Sequence, residues 1–516
     1  MKKWTLLLAL LPVWALAQER IMVIADPHVM APSLHDDGAA FQEMLASQRK
    51  MLDLSAEAWN CLIQNALQAK PELLLIPGDL TKDGEMVSHQ IVLNDLKNLN
   101  NQGIKTLVIP GNHDIGGKAY SYFGETKTEV ETLQDSHWWD IYEGVSSGIL
   151  AKDQNSHSYV AEPLEGLTVL GIDGSHNNAG TGSLSDETLA WILAQADAAH
   201  EKGHMIISMC HWQLMDHFDK QGSLESSCQL KNAAAIRDSL LNHHVHVVLT
   251  GHFHVSGIST WRDEKNDSIV EITTGSPITY PCPYRWLTID AARKNLSVET
   301  QTIESLGEID DLYTYSRQWM AQQAEYLLPV IAEKVWSRMD EVQAKLEQQF
   351  GQKPVQMLME ILPQTNEERV ALVKKHIGST VVELYLLHSD GNEPDHEEAD
   401  SLAQAFYDGM NNMILDVFGD NWMLKAALYA PLSSYAALLA QEPLQSIVED
   451  KTRLATDTPD RTDDLHLTLT IGEGYHNPEA LDHLETETIA QKFIKNGQMF
   501  ILRGVRVYTV TGQEVR

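Results

Sequence analysis

Arg20-Ile-Met-Val-Ile-Ala-Asp-Pro-His28 is an apolar run that stops abruptly on a carboxylate and an imidazole. Unbroken apolar character over such a short stretch marks a strand buried on both faces, as in a parallel sheet covered by helices. Two more runs of this kind follow, Leu73-Leu-Leu-Ile76 and Thr106-Leu-Val-Ile109. The stretches between them, Ala39 to Ala69 and Glu85 to Leu99, carry helical patterning. This alternation predicts parallel strands joined by right-handed crossovers.

The pattern continues at Leu167–Ile172, Met205–Ser208 and Val245–Thr250. Ile269–Thr273, Trp286–Ile289 and Leu296–Thr300 then follow one another through turns rather than helices, which predicts an antiparallel portion. The expected fold class is α/β, a four-layer α/β/β/α sandwich of two facing sheets with helices outside, over residues 18–304. From residue 305 to 497 the chain turns rich in Ala, Leu, Glu, Gln and Met and reads as mainly α-helical. Tyr326 to Trp336 has apolar residues at helical spacing, whereas the acidic, Gly- and Pro-punctuated stretch Ser389–Asp400 reads as a loop. Leu465-His-Leu-Thr-Leu-Thr470 reads as an isolated strand. Residues 498–516 read as a terminal β-hairpin turning at Arg503-Gly504.

Position gives short motifs their meaning. Asp-x-His occurs at Asp26-Pro-His28 but also at Asp135-Ser-His137 and Asp464-Leu-His466, and Gly-Asp occurs at Gly78-Asp79 and at Gly419-Asp420. The first copy of each follows a strand; the others do not, and read as surface turns. Five strand ends in all present ligand-type residues: Asp26 and His28, Asp79, Gly111-Asn-His-Asp114, His211, and Gly251-His-Phe-His254. Loops beyond the carboxyl ends of parallel strands converge on one crevice. Carboxylate, imidazole and amide oxygen together suit ions such as Zn, Mn or Fe. Seven ligands (Asp26, His28, Asp79, Asn112, His211, His252 and His254) are too many for one such ion and fit two sharing a carboxylate. The glycines at 78, 111 and 251 are expected to let the backbone turn sharply.

The chain has 516 residues and a formal charge of −34, which disfavours nucleic-acid polymers and anionic lipid surfaces as partners. Lys2 and Lys3 precede an apolar run from Trp4 to Leu16 that closes on Ala15-Leu16-Ala17, so residues 1–17 read as a cleaved signal peptide, with Gln18 as the mature start. The chain is therefore expected to be exported, periplasmic or on the cell surface, with no transmembrane segment after cleavage. Cys61, Cys210, Cys228 and Cys282 allow up to two disulfides in three pairings, and Cys210, inside an apolar run, reads equally well as a buried free thiol.

The ordered set Asp26-x-His28, Gly78-Asp79, Gly111-Asn-His-Asp114, His211 and Gly251-His-x-His254 resembles the calcineurin-like metallophosphoesterase superfamily over residues Glu19 to Thr302. The resemblance implies that Asp26, His28 and His254 bind one metal, that Asn112, His211 and His252 bind a second, and that Asp79 bridges them. It implies that His113 stands over the substrate phosphate, that Asp114 orients its ring, and that a metal-bridging hydroxide attacks in line. Lys82 occupies the position where purple acid phosphatases carry Tyr, so no coloured iron phenolate is expected. Gly78-Asp-Leu-Thr-x-x-Gly84 resembles the bacterial phosphodiesterase branch, so a small phosphodiester is the expected substrate. A phosphomonoesterase or pyrophosphatase on nucleotides or sugar phosphates is the alternative within the same chemistry. A non-catalytic exported interaction protein is the alternative outside it.

Among the remaining residues, Arg285 is the candidate for phosphate contact, in the loop that follows the two-histidine block. His243, His244 and His246 read as helix-end or edge residues. His35, His176 and His217 read as loop residues within reach of the site. The C-terminal hairpin resembles the sorting-type tails of exported bacterial proteins.

Overall fold

The computed structural model describes residues 18–176, 180–217, 228–290, 292–324, 327–337, 339–391, 396–418 and 465–470, together with strands between 491 and 515. The expected signal peptide, Asp464, the Gly419-Asp420 motif copy and part of the acidic stretch after Ser389 lie outside the described residues.

Strands β1 (Glu19–Val23), β2 (Leu73–Ile76) and β3 (Lys105–Val108) pair in parallel, as the opening stretch predicts. Helices α1 (Ala39–Ala46) and α2 (Ser55–Ala69) make the first crossover and α3 (Met86–Asn101) the second. Along the first run, side chains alternate between two cores. Met22 and Ile24 face the helices, where they join Trp59, Leu62 and Leu96. Ile21 and Val23 face the second sheet, where they meet Val169, Ile207 and Leu249. Burial on both faces is why no polar residue interrupts the run.

A two-stranded hairpin, β4 (Ala119–Phe123) and β5 (Thr126–Val130), and the short helix α4 (Trp138–Tyr142) lead into the second sheet. There β6 (Ile149–Lys152), β7 (Tyr159–Leu164) and β8 (Leu167–Ile172) form an antiparallel meander. After helix α5 (Asp186–Glu201) comes β9 (Met205–Cys210), and after α6 (Ala233–Asn242) comes β10 (Val247–Thr250); both lie parallel to β8. Strands β11 (Gly257–Arg262) and β12 (Ser268–Thr273) are antiparallel to each other, but β12 runs parallel to β10, so the later strands are not all antiparallel. Helices α5 and α6 cover the outer face through Ile192, Ala196, Ile236 and Leu240. Strands β13 (Pro283–Ile289) and β14 (Asn295–Thr302) return to the first sheet, β13 antiparallel to β1 and β14 antiparallel to β13. The result is the four-layer order: helices, six strands, seven strands, helices.

Helices α7 (Leu312–Ala324), α8 (Leu327–Ser337), α9 (Met339–Phe350), α10 (Gln352–Ile361), α11 (Asn366–Asp390) and α12 (His396–Phe418) follow. Helix α11 starts at a capping box in which the Thr365 side chain accepts from the Glu368 amide and Glu368 reaches back. Leu328, Ala332, Trp336, Ile377, Phe406 and Met410 form a separate helical core. No helix among the described residues is long and apolar enough to cross a membrane.

Strand β15 (His466–Thr470) is not isolated. It adds to the edge of the first sheet beside β14, with Leu467 and Leu469 opposite Val298 and Leu296 and turned into the inter-sheet core. Its alternating pattern fits an edge strand with one buried face. The C-terminal hairpin is present as the middle pair of a larger antiparallel sheet, β16 (Gln491–Lys495), β17 (Gln498–Arg503), β18 (Arg506–Thr509) and β19 (Glu514–Val515). None of the four cysteines is in a disulfide, and Cys210 and Cys282 are buried.

Candidate metal centre

Beyond the carboxyl ends of β1, β2, β3, β9 and β10, the five motifs meet in one cleft. Asp79 lies at its middle: its Oδ2 is 3.5 Å from His28 Nε2 and 3.4 Å from His211 Nε2. On one side His28 and His254 bring their Nε2 atoms to 3.0 Å, and Asp26 Oδ1 is 3.4 Å from His254. On the other, His211 Nε2 is 3.1 Å from Asn112 Oδ1 and 3.2 Å from His252 Nδ1. The structure thus gathers Asp26, His28, Asp79 and His254 into one ligand set and Asp79, His211 and His252 into another, with Asn112 beside the second.

The donor chemistry fits cations. Burial pulls His28, His252 and His254 well below the usual imidazole range, so the rings are neutral, the form that binds metal. Burial opposes the charge on Asp79 too, but His211, His113 and His28 outweigh it and hold the carboxyl below its ordinary range. Burial pushes Asp26 up to about 7, the cost of a buried carboxylate that a cation would offset. His211 lies 2.9 Å from the Pro77 carbonyl through Nδ1, which orients the ring and frees Nε2 for the cleft.

Local backbone geometry delivers these side chains. Asp26, His28, Asp79, His252 and His254 all have φ between 41° and 66°, the left-handed region, which costs a non-glycine residue about 1–3 kcal/mol. Strain of this kind persists where the surrounding fold over-determines the turn. Of the three motif glycines only Gly78 has positive φ, at 98°. Gly111 serves by its size instead, since a Cβ there would stand 2.1 Å from Asp79 Oδ1.

His113 is part exposed at the mouth, and its amide donates to Asp79 Oδ1 at 2.8 Å. Its ring meets Asp83, not Asp114: Nδ1 is 3.0 Å from Asp83 Oδ1, and Lys82 pairs with the same carboxylate. The Asp114 carboxylate accepts from the amides of Leu80, Thr81 and Gly111 and from the Thr81 hydroxyl, at 2.8–3.1 Å. It therefore ties the second and third strand-end loops together. His89 braces the same corner: Nε2 is 2.9 Å from the Asp114 carbonyl and Nδ1 is 2.7 Å from the Tyr142 hydroxyl. Lys50, buried, places Nζ 3.4 Å from both nitrogens of His28, and burial lowers it to about 8.

Residues 19–256 match the sequence model of the calcineurin-like phosphoesterase family. The chain carries a calcineurin-like phosphoesterase domain. That match and the ligand sets in the cleft support a phosphoester hydrolase. A probable glycerophosphodiester phosphodiesterase from Arcobacter nitrofigilis is 24% identical over 231 residues, 44% of this chain and 71% of that one. Among solved structures, a dimetal phosphatase from Danio rerio aligns at TM-score 0.40 and 12% identity, over 55% of this chain and 96% of its own. A purple acid phosphatase from yellow lupin aligns at 0.35 and 12%, over 55% and 52%. At these scores neither likeness bears on chemistry.

Among the other residues singled out, Arg285 lies elsewhere than its sequence context suggests, whereas His243 caps the end of α6 as a helix-end residue. Arg285 is fully buried on β13, where its guanidinium donates to the carbonyls of Thr273 and Gly257 and so bridges the sheets rather than facing phosphate. The loop before it does reach the cleft, because the Ser276 hydroxyl donates to the Asp26 carbonyl at 2.7 Å. His35 stacks on Phe41 and His217 packs against Phe253. His243 pairs with Asp197, His244 stacks on His200, and His246 contacts the Ser268 carbonyl. His176 meets Asp135 and His157.

Proposed function

We propose that the cleft hydrolyses a small phosphodiester with two first-row ions (manganese, zinc or iron) held by Asp26, His28, Asp79, Asn112, His211, His252 and His254. The observation that carries this reading is the shared carboxylate. Asp79 Oδ2 stands at nearly equal distance from an imidazole of each ligand set, an arrangement suited to two ions and wasteful for one. When bound, the two cations supply Lewis acidity towards a phosphoryl oxygen and a source of hydroxide at neutral pH.

The remaining work falls to side chains of the chain itself. His113, at the mouth and tethered by Asp83, serves to protonate or stabilise the departing oxygen. Lys50, buried against His28, and Arg49, within electrostatic reach of His254, add positive charge beside the cleft of a strongly acidic chain. The curated relative's description as a glycerophosphodiester phosphodiesterase supports the diester. Lys2-Lys3, the apolar run and Ala15-Leu16-Ala17 support export to the periplasm or cell surface.

The test is turnover by the metal-reconstituted protein on bis-p-nitrophenyl phosphate against p-nitrophenyl phosphate. Faster hydrolysis of the diester is expected. A preference for the monoester overturns the substrate reading, and inactivity on both with two ions bound overturns the catalytic one. N-terminal sequencing of the protein from its native host checks export, with Gln18 as the expected first residue.

A further inference from the structure

We propose that Asp135, His157 and His176 form a third cation site, for a divalent ion of the zinc class, outside the cleft. The three come from separate segments: the turn before α4, the approach to β7 and the loop after β8. Their ligand-capable atoms nonetheless lie within 4.8 Å of one another. The carboxylate stands between the two rings, with Oδ1 3.2 Å from His157 Nε2 and Oδ2 3.2 Å from His176 Nδ1. The rings meet edge to face at 5.5 Å.

An ordinary pair of histidine–carboxylate bridges accounts for only part of this. His157 is more than nine-tenths buried, and its Nδ1 has no hydrogen-bond partner among the described residues. His176 Nδ1 also makes no hydrogen bond, although the Asp135 oxygen is close. Buried polar atoms left in this state call for a water or an ion. Two imidazoles and one carboxylate are a donor set for zinc and its neighbours rather than for magnesium or calcium, and three protein ligands leave a fourth position open to solvent.

The surroundings hold the three ligands in place. Tyr159 lies opposite Gly171 in the β7–β8 ladder, so the segments carrying His157 and His176 are neighbours. Asp173, buried between them, accepts from the amides of His157 at 2.9 Å and Ser175 at 2.8 Å. Trp138 and Trp139 pack around His157 at 6.1 and 6.4 Å. The Trp212 indole donates to the Ser175 hydroxyl, and its ring packs 4.0 Å from His252. An ion here would fasten three loops just behind the wall of the cleft. It shares no ligand with the seven residues of the cleft, so either reading can fail alone.

The full-length protein, stripped of metal and reloaded with zinc, tests the assignment. Three ions per wild-type chain and two per His176→Gln chain are expected, with an anomalous zinc peak among the three side chains in wild-type crystals. Two ions per wild-type chain, or the same count in the variant, overturns it. Should His176→Gln fail to fold, the wild-type crystal decides: a peak supports the site and its absence removes it.

Discussion

The six-stranded sheet sends Asp26, His28, Asp79 and Asn112 into the cleft, whereas the seven-stranded sheet sends His211, His252 and His254. All the negative charge, and the shared carboxylate, comes from one sheet; the other supplies imidazoles alone. The two sheets are held face to face by an apolar core in which Ile21, Val23, Ile207 and Leu249 interdigitate. The ligand sets are therefore split across that core rather than confined to either sheet.

The sharpest way to break this asymmetry is Asp79→Ala. It should empty both ligand sets and abolish turnover, while His254→Ala should cost one ion and leave the other; ion counts by mass spectrometry alongside turnover decide. If Asp79→Ala keeps two ions, the shared carboxylate has no special place. Next in size, His113→Ala should keep both ions yet lower kcat by about 10²–10⁴-fold. Loss of an ion in that variant would make His113 a ligand rather than a proton donor. Asp83→Asn, which loosens the His113 ring from the first sheet's own loop, should lower kcat by roughly 10–100-fold with the ion count unchanged; wild-type turnover would return the orienting role to another residue.

The smallest effect expected concerns the brace under the first sheet. Burial lowers His89 to about 4, against an unfolded value of about 6.5. Between those values the unfolded chain binds the extra proton and the folded one does not. Stability is therefore complete above about pH 6.5 and falls as the pH drops towards 4, by roughly 3 kcal/mol at most. His89→Gln should flatten that acid limb in urea titrations of the metal-free protein. An unchanged slope would mean that other groups carry it.

The five strand ends were legible because a buried parallel strand announces itself by unbroken apolarity, and the next polar residue must then face the crevice. Asp83 sat within Gly78–Gly84, but adjacency in sequence does not tell which carboxylate meets a ring supplied by another loop. His89 looked like any helical residue, because its partners, the Asp114 carbonyl and Tyr142, lie 25 and 53 positions away. Asp135 read as a surface turn for the same reason, since His157 and His176 reach it only through the β7–β8 pairing. Strands β4 to β7 and β11 carry no such mark, because polar residues interrupt their apolar pattern and β7 holds a proline.

Strand β15 gives the order of synthesis a structural consequence. The edge of the first sheet beside β14 is completed by residues made about 160 positions later. At ~5–20 residues per second the ribosome needs on the order of ten seconds or more to supply them. Throughout that interval Leu296 and Val298 are paired only with β13, and the other side of β14 offers an open ladder, the kind of edge that recruits other chains. The helical region is thus a long insertion between two neighbouring strands, and a nascent chain released before Thr470 would keep every cleft ligand yet leave that edge bare.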